Sequence, residues 1–183
     1  MNDPAEIKKF IKGNKRTFEK IYNAYAPNMY SHCLRMARDE DDAKDMLQES
    51  FIRVYNYRKQ FDPSQSLGGW IRKIVINTSL NFIKKNYSIH FERDEVIEMQ
   101  VEFEEEENGT ISKERLMKAL ESLPEGYKVI FSLYVIEGLT HPEIAEYLEI
   151  SVNTSKSQLH KAKKMLKAKL ITITTENTIC HVS

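Results

Sequence analysis

The chain has 183 residues, of which 41% are hydrophobic and 30% are charged, with six glycines and five prolines. This composition is typical of a folded, helix-rich chain with one or two small domains, and it excludes collagen-like and low-complexity classes. No stretch is long and apolar enough for a membrane span, and the first residues lack the apolar core of a signal peptide. We therefore expect a cytoplasmic protein with no membrane insertion.

The 27 basic and 27 acidic residues are unevenly distributed along the chain. Residues 1–94 carry 17 basic and 12 acidic side chains, whereas residues 95–110 carry seven glutamates and no basic residue. This acidic segment has no helical period and ends in Asn108–Gly109, so we predict a flexible acidic linker at 95–111. A solvated spacer and a segment that follows a path normally occupied by nucleic acid both fit its composition.

Apolar residues recur at helical spacing through the first block and predict four helices. They are predicted over Lys15–Ala26, Pro27–Arg38, Asp42–Tyr57 and Leu67–Asn86. The acidic cluster at 39–42 suits the positive end of the third helix. Phe61–Ser66 is predicted to be a loop, because the residue before a proline disfavours helix.

The third and fourth helices each carry a polar face opposite the apolar one. On the third, six residues are predicted to face inward: Ala43, Met46, Leu47, Ser50, Phe51 and Val54. Its outer face bears Asp45, Gln48 and Glu49. The fourth helix presents a stripe of basic and amide side chains, with no acidic residue between Trp70 and Tyr87. Such a stripe suits phosphate and base-edge contacts, and a solvated Lys/Arg face fits this helix alone equally well.

The second block has the pattern of a helix-turn-helix. A helix at Ser112–Ser122 and another from Leu123 to Gly138 precede Thr140-His141-Pro142-Glu143, which fits a capping box. A short helix and a tight turn then lead to a long final helix beginning near Val152, an order typical of helix-turn-helix domains. The tail, 171–183, carries no recognisable motif, and we expect it to be frayed or a short partner-binding strand.

The final helix is predicted to bury one apolar stripe and to expose polar and basic residues elsewhere. The stripe steps by three and four through Val152, Ser155, Leu159, Ala162 and Leu166. The residues predicted to lie largely off it are Thr154, Lys156, Ser157, Gln158, His160, Lys161 and Lys164. A DNA-reading helix needs polar first turns and a basic flank, whereas a helical bundle with a solvated lysine face is the weaker alternative.

The residues indicate no catalytic, cofactor or metal site. Cys33 and Cys180 each lie next to a histidine, but adjacent helical residues point about 100° apart and do not share a ligand face. We favour a half-buried Cys33 and a Cys180 in a loose tail. No Gly-rich phosphate loop, zinc-protease motif or nucleophile elbow is present, so we expect no enzyme activity.

Two separate blocks of the sequence resemble bacterial sigma-70 family factors. The residues that resemble region 2 are Asp42-Ala43-Lys44-Asp45-Met46-Leu47-Gln48-Glu49-Ser50-Phe51, Phe61-Asp62-Pro63 and Trp70-Ile71-Arg72-Lys73-Ile74 with Asn77. The residues that resemble region 4 are Leu123-Pro124-Glu125, Glu137-Gly138-Leu139-Thr140, Glu143-Ile144-Ala145 and the stretch from Ile150-Ser151-Val152 to Leu159-His160-Lys161-Ala162. Only a short linker separates the blocks, a layout that matches the extracytoplasmic-function (ECF) sigma factors.

The resemblance implies an all-α fold of two small domains: region 2 at 1–94 and a region 4 helix-turn-helix at 112–170. It implies a transcription initiation factor whose partners are core RNA polymerase, promoter DNA and an anti-sigma factor. The implied polymerase contacts are Asp42, Asp45, Leu47, Gln48, Glu49 and Phe51. The implied −10 contacts are Phe61, Ser64, Trp70, Arg72, Lys73, Asn77, Asn81, Lys84 and Lys85. The implied −35 contacts are Thr154, Ser155, Lys156, Ser157, Gln158, His160, Lys161 and Lys164.

Several positions depart from the family pattern. Leu67-Gly68-Gly69 stands where relatives often carry an aromatic residue and better helix formers, Ser155 replaces a usual valine, and Glu149 replaces a frequent turn glycine. Gln158 and Lys161 replace frequent arginines. Two other functions remain compatible with the sequence: a helix-turn-helix regulator that acts without polymerase, and a helical adaptor that binds only proteins.

Overall fold

The structure is a computed structural model that describes residues 3–86 and 113–179. Within these ranges the chain is helical and contains no strand, and it divides into two compact units, one within 1–88 and one within 89–183. The predicted all-α, two-domain fold is confirmed. The predicted linker at 95–111 lies outside the described residues.

Within residues 3–86, the first unit contains four helices and a short 3₁₀ turn. They are α1 (Pro4–Ile11), α2 (Lys15–Met36), α3 (Glu40–Tyr57), the 3₁₀ turn Arg58–Gln60 and α4 (Leu67–Asn86). The bounds of α4 match the prediction, and α1 was not predicted. Asp39 caps α3 by accepting the Asp42 N–H at 2.8 Å, and three carboxylates follow in the first turn, as the acidic cluster predicts.

Helix α2 is one helix of 22 residues, so the prediction of two helices separated at Pro27 is wrong. Pro27 removes one backbone hydrogen bond, a loss of about 3 kcal/mol in a helix interior. Its ring lies on the exposed side, whereas Ile21, Ala26 and Cys33 are buried in the packing of α2 against α3 and α4. Tertiary packing of the apolar face therefore offsets the lost hydrogen bond, and the helix continues past the proline.

The core of the first unit lies between α2, α3 and α4. All six residues predicted to face inward on α3 are buried. Helix α1 closes one end of this core: Phe10 is fully buried, with ring centroids 6.5 Å from Phe18 and 6.4 Å from Trp70. These edge and stacked aromatic contacts fix α1 beside the start of α4.

Cys33 is completely buried rather than half-buried, and its Sγ lies 3.9 Å from Ser79 Oγ. Burial raises the pKa of this thiol to about 11, which disfavours the thiolate that metals bind. Among the described residues, no cluster of three His, Cys, Asp or Glu side chains is suited to a metal ion. Cys180 lies outside them.

The second unit contains α5 (Lys113–Glu121), α6 (Glu125–Phe131), α7 (His141–Leu148) and α8 (Val152–Ile179). Helix α6 continues into a π-helical turn at Ser132–Ile136, where the Glu137 N–H donates to the Ser132 carbonyl at 3.0 Å. Gly138 then adopts a φ of 74°, so the predicted C-terminal glycine is confirmed. The π turn was not predicted.

The helix-turn-helix follows the predicted order. The capping box of α7 is confirmed: the Glu143 N–H donates to Thr140 Oγ1, and the Thr140 N–H donates to the Glu143 carboxylate at 2.8 Å. Glu149 ends α7 with a φ of 56°, the left-handed conformation that a glycine adopts more easily.

Helix α8 begins at Val152, as predicted, and its backbone remains helical to Ile179. The expectation of a frayed tail or strand is therefore wrong for 171–179. Among the described helices, none combines the length and the apolar character needed to cross a membrane.

Candidate polymerase and DNA interfaces

An aromatic groove of about 590 Å³ opens between α2 and α3. Tyr22 packs edge-on against Phe51 with centroids 4.8 Å apart, and Phe18 meets Tyr55 at 5.0 Å. The groove is lined by Phe18, Tyr22, Tyr30, Lys44, Leu47, Gln48, Phe51, Ile52, Tyr55 and Asn56. Its floor is apolar and its rim is polar, which suits a partner that inserts apolar side chains.

The groove brings together half of the residues predicted to contact polymerase. Leu47 and Phe51 form its buried wall, with 9% and 3% exposure, and Gln48 stands exposed at its edge. Asp45 is exposed on α3 outside the lining. Glu49 is half-buried and paired with Arg53 Nη2 at 2.5 Å, so its carboxylate already has a cationic partner.

Two exposed apolar residues that were not predicted from the sequence as site residues belong to this groove. Tyr22 retains 39% of its surface and Ile52 retains 54%. Ile52 lies outside the inward stripe of α3. A large aliphatic residue on that otherwise polar face was the feature of the sequence from which the groove could have been predicted. An exposed isoleucine at the rim of an aromatic groove enlarges the apolar surface offered to a partner.

Helix α4 presents the predicted basic stripe to solvent. Arg72, Lys73, Asn81, Lys84 and Lys85 are all exposed. Asn77 is half-buried between this stripe and the core, and its Oδ1 is buried without a hydrogen-bond partner among the described residues. A buried amide oxygen without a partner is unfavourable, so a donor from a bound molecule would stabilise it.

The loop that leads into α4 is ordered by Asp62. Its carboxylate accepts the Ser64 N–H at 2.9 Å and the Ser64 hydroxyl at 2.8 Å. These two hydrogen bonds lower the pKa of Asp62. Ser66 Oγ then accepts the Gly69 N–H at 3.3 Å at the start of α4. Ser64 is exposed, so the loop presents a hydroxyl next to the basic stripe.

Trp70 and Phe61 occupy different depths beside this loop. Phe61 is only 3% exposed, and its ring centroid lies 5.2 Å from that of Trp70. Trp70 is half-buried and keeps part of its ring accessible. Phe61 therefore supports Trp70 from below, and Trp70 is the ring that a base could reach.

The buried side of α8 differs from the predicted stripe. Ser155, Leu159, Ala162 and Leu166 are buried as predicted, but Val152 is 37% exposed, so its inward placement is wrong. Thr154 and Gln158 were predicted to lie off the stripe and are 8% and 3% exposed, which corrects that assignment. The buried side is wide because α8 packs against α5, α6 and α7 together.

Thr154 has a local structural role at the start of α8. Its N–H donates to Ser151 Oγ at 2.9 Å, and the two hydroxyls lie 2.8 Å apart. Of the other predicted −35 residues, Lys156 and Lys164 are exposed, whereas Ser157, His160 and Lys161 are half-buried. The accessible face of α8 is therefore narrower and more basic than the sequence predicts.

A cluster centred on His141 lies at the start of α7 and was not singled out from the sequence. Its ring stacks on Tyr134 of the π turn with centroids 4.4 Å apart, and its Nδ1 lies 2.9 Å from Ser155 Oγ. Burial and the positive charges of Lys156 and Lys163 lower its pKa. A polar residue in the buried stripe of α8, Ser155, was the available signal.

Comparisons with known proteins assign both units. The family model "Sigma-70 region 2" matches residues 21–88, and "Sigma-70, region 4" matches residues 113–166. The ECF RNA polymerase sigma factor SigW of Bacillus subtilis (strain 168) is 28% identical over 176 residues, covering 90% of this chain and 94% of that protein. An ECF RNA polymerase sigma-E factor of Haemophilus influenzae is 26% identical over 182 residues, covering 93% and 96%.

Two solved structures share the fold. The sigma factor RpoE, in complex with the anti-sigma factor NepR from Bartonella quintana, aligns with a TM-score of 0.52 and 18% identity, covering 84% of this chain and 96% of that one. CnrH, in complex with the cytosolic domain of CnrY, aligns with a TM-score of 0.52 and 20% identity, covering 94% and 99%. With regions 2 and 4 matched in order and ECF relatives covered almost from end to end, the chain belongs to the sigma-70 family of RNA polymerase sigma factors, in its extracytoplasmic-function group.

Proposed function

We propose that this chain binds core RNA polymerase in the cytoplasm and directs promoter-specific initiation, without catalytic activity of its own. Region 2 would recognise the −10 element and region 4 the −35 element. The observation that carries this proposal is the presence of both sigma regions in one chain, each with an accessible surface suited to its partner. We further propose region 2 at 1–94, an acidic linker at 95–111, region 4 at 112–170 and a tail at 171–183, into which the backbone of α8 continues as far as Ile179.

The groove between α2 and α3, with Asp45 and Gln48 beside it, is the proposed polymerase-docking surface. The decisive test is the affinity of the full chain for core polymerase. Asp45→Arg combined with Gln48→Arg should weaken binding at least about tenfold, because like-charge or unpaired groups at an interface are strongly unfavourable. Both positions are exposed, so the change in folding stability should stay within about 0.5 kcal/mol.

Glu146→Arg is the matched control, since it reverses an exposed charge on α7 in the other unit. Glu49 is left unchanged because an arginine there would lie beside Arg53 and would lower the folding stability. A loss of binding could then not be assigned to docking alone. Normal binding by the double variant would contradict the docking surface. Failure of the unaltered chain to bind polymerase while it still binds DNA would indicate a helix-turn-helix regulator instead, and failure to bind either would leave a protein-binding adaptor.

The exposed stripe of α4 is the proposed surface for the −10 strand. Lysine and arginine side chains would hold the backbone, Trp70 would offer a stacking face, and Asn77 Oδ1 would accept a donor from a base. Lys73→Ala should weaken open-complex formation at all promoters about equally. Asn77→Ala should instead change the preference among −10 base substitutions, as measured by transcription from matched promoter variants. Uniform weakening in both variants would contradict a base contact by Asn77.

The accessible face of α8 is the proposed −35 surface. Lys156 and Lys164 are placed to contact phosphates, and Ser157, His160 and Lys161 to reach base edges or the backbone. Thr154, Ser155 and Gln158 would act through the position of α8 rather than by contact, because they are buried. Lys156→Ala should lower the salt slope of −35 binding by roughly one unit. Lys118→Ala on α5, which removes an exposed lysine elsewhere, should leave the slope unchanged.

Two further parts of the proposal concern the acidic linker and an anti-sigma partner. Glutamates at 102 and 104–107 would follow a path used by RNA, so replacing them with glutamines should alter initiation without changing polymerase affinity. An unchanged transcript pattern would indicate that the segment is only a solvated spacer. An anti-sigma protein would cover the α2–α3 groove, and it should compete with core polymerase for the free chain.

A further inference from the structure

His141 links three separate parts of the helix-turn-helix. Its ring belongs to the first residue of α7, stacks on Tyr134 of the π turn, and places Nδ1 2.9 Å from Ser155 Oγ on α8. Ser155 is the fourth residue of α8 and is completely buried. The imidazole therefore fixes both the depth and the rotation of the N-terminal turns of α8, where DNA-reading residues lie in a helix-turn-helix.

The same ring lines a recess that opens beside Lys156. The recess has a volume of about 590 Å³, and Thr140, His141, Val152 and Lys156 are among the residues that line it. It opens where α7 and α8 both begin. Lys156 is exposed, and its ammonium group provides a cation for an anionic ligand at this position.

The charges around His141 favour a neutral ring in the free protein. Burial lowers the pKa of His141 most, and the positive charges of Lys156 and Lys163 on α8 lower it further. From the π turn, the ring is faced by the neutral side chain of Tyr134. On α7, the Glu143 carboxylate is held by the Thr140 N–H at 2.8 Å and the Thr140 hydroxyl at 2.7 Å. A DNA phosphate beside Lys156 would offset this positive potential.

We propose that His141 is a positioning residue for the −35-reading helix and that it takes up one proton from solvent when a DNA phosphate binds beside Lys156. The proton adds to whichever ring nitrogen carries none in the neutral ring. With both nitrogens protonated, Nδ1–H donates to Ser155 Oγ, so the link to α8 survives. The cationic ring also gains from its stack on Tyr134. This inference rests on the proposed function, because it requires that α8 meets DNA.

The direction of the pH effect follows from linkage. Binding raises a depressed pKa, so the bound state holds more protons than the free state between the two pKa values. Affinity for −35 DNA must therefore rise as the pH falls through that window. One proton limits the effect to about tenfold per pH unit.

The test measures binding of the full chain to a −35 duplex from pH 8 to pH 6 at constant salt. His141→Asn can still bond to Ser155 but does not titrate, and His141→Ala loses both properties. We expect the affinity of the unaltered chain to rise about three- to tenfold more than that of His141→Asn as the pH falls. At pH 8, His141→Asn should bind more tightly than His141→Ala but less tightly than the unaltered chain, because it keeps the bond to Ser155 and loses the stack on Tyr134.

Histidine ring resonances provide the second measurement, with the His141 signal identified by its loss in His141→Asn. Its titration midpoint should move to higher pH when the duplex is added. Parallel pH profiles for the unaltered chain and His141→Asn, with an unmoved midpoint, would overturn the inference while leaving DNA binding intact. Failure of the unaltered chain to bind the duplex at any pH, alone or with core polymerase, would overturn the proposed function and the inference together.

Discussion

Alanine at Gly69 should stabilise the first unit, whereas alanine one residue earlier, at Gly68, should destabilise it or leave it unimproved. Both glycines lie in the first turn of α4, and each substitution adds one methyl group. A Cβ at Gly68 would lie 3.0 Å from Tyr25 Cε1, closer than normal contact, whereas a Cβ at Gly69 would meet Ser66 Cβ at 3.6 Å. The two sites thus differ in the space available rather than in chemistry.

The magnitudes separate the two variants. Replacing glycine by alanine in a helix interior gains roughly 1 kcal/mol, and we expect about half to all of this gain at Gly69. At Gly68 the same gain is opposed by overpacking against Tyr25, which costs about 1–3 kcal/mol in a packed site. The unfolding free energies should therefore differ by roughly 1–3 kcal/mol, which is at least about 4 °C in melting temperature for a unit of this size.

Trp70 is the only tryptophan in the sequence, so its fluorescence reports urea unfolding of the first unit alone. Shortening Tyr25 to leucine in the Gly68→Ala background should recover part of the loss, which a double-mutant cycle measures. Equal stabilisation by both alanines would refute the steric argument. Destabilisation by both would show that the start of α4 requires glycine for another reason.

Three further predictions concern backbone strain, capping and a buried thiol. Gly138→Ala should destabilise the second unit by about 1–2 kcal/mol; no neighbour lies within 4 Å, so the cost comes from the φ of 74° and not from a clash. Glu149→Gly should stabilise the same unit, because it relieves the strain of a φ of 56°. Thermal unfolding followed by far-UV circular dichroism measures both, and an unchanged stability in either variant would contradict the strain. Thr140→Ala should lower stability by about 1 kcal/mol in the same assay through loss of the capping box, and an unchanged melting curve would show that the cap contributes nothing. Burial raises the pKa of Cys33 to about 11. The neutral thiol therefore contributes stability that is complete below about pH 9 and is lost as the pH rises towards 11. The unaltered chain should lose more stability over that range than Cys33→Ala, and equal losses in the two proteins would refute this.

Much of the fold could be predicted because the apolar spacing of α3 and α7 matches their buried faces. On α4 the spacing gave only part of the buried face: Ile71, Val75 and Thr78 are buried as predicted, whereas Trp70, Ile74 and Phe82 are half-buried. Helix α1 was missed because only Ile7 and Phe10 are buried among its eight residues, and Phe10 meets Trp70, which is distant in the sequence. The continuity of α2 through Pro27 was also beyond local rules. A proline removes a hydrogen bond locally, and only the packing on both sides of it decides whether the helix continues.

The candidate sites were predictable to the extent that exposure follows helical period. On α4 the basic stripe is exposed as expected, because one face packs against α2 and α3. On α8 the period alone gave a stripe that was too narrow, since three helices pack against it and also bury Thr154 and Gln158. The number of neighbours around a helix is a tertiary property, so the width of a buried face cannot be obtained from spacing.

Ser155 shows how a local inconsistency in a sequence can mark a site without revealing its partner. A hydroxyl in the buried stripe of α8 is unfavourable unless it is hydrogen-bonded. Its partner, His141, lies fourteen residues earlier on another helix and is aimed by the Tyr134 ring of a π turn that no sequence pattern predicted. Ser155→Val should therefore leave the imidazole nitrogen unpaired and destabilise the helix-turn-helix, even though valine suits the stripe. The polar pair is intelligible only as a unit, and its position beside Lys156 connects the packing of α8 to its proposed contact with DNA.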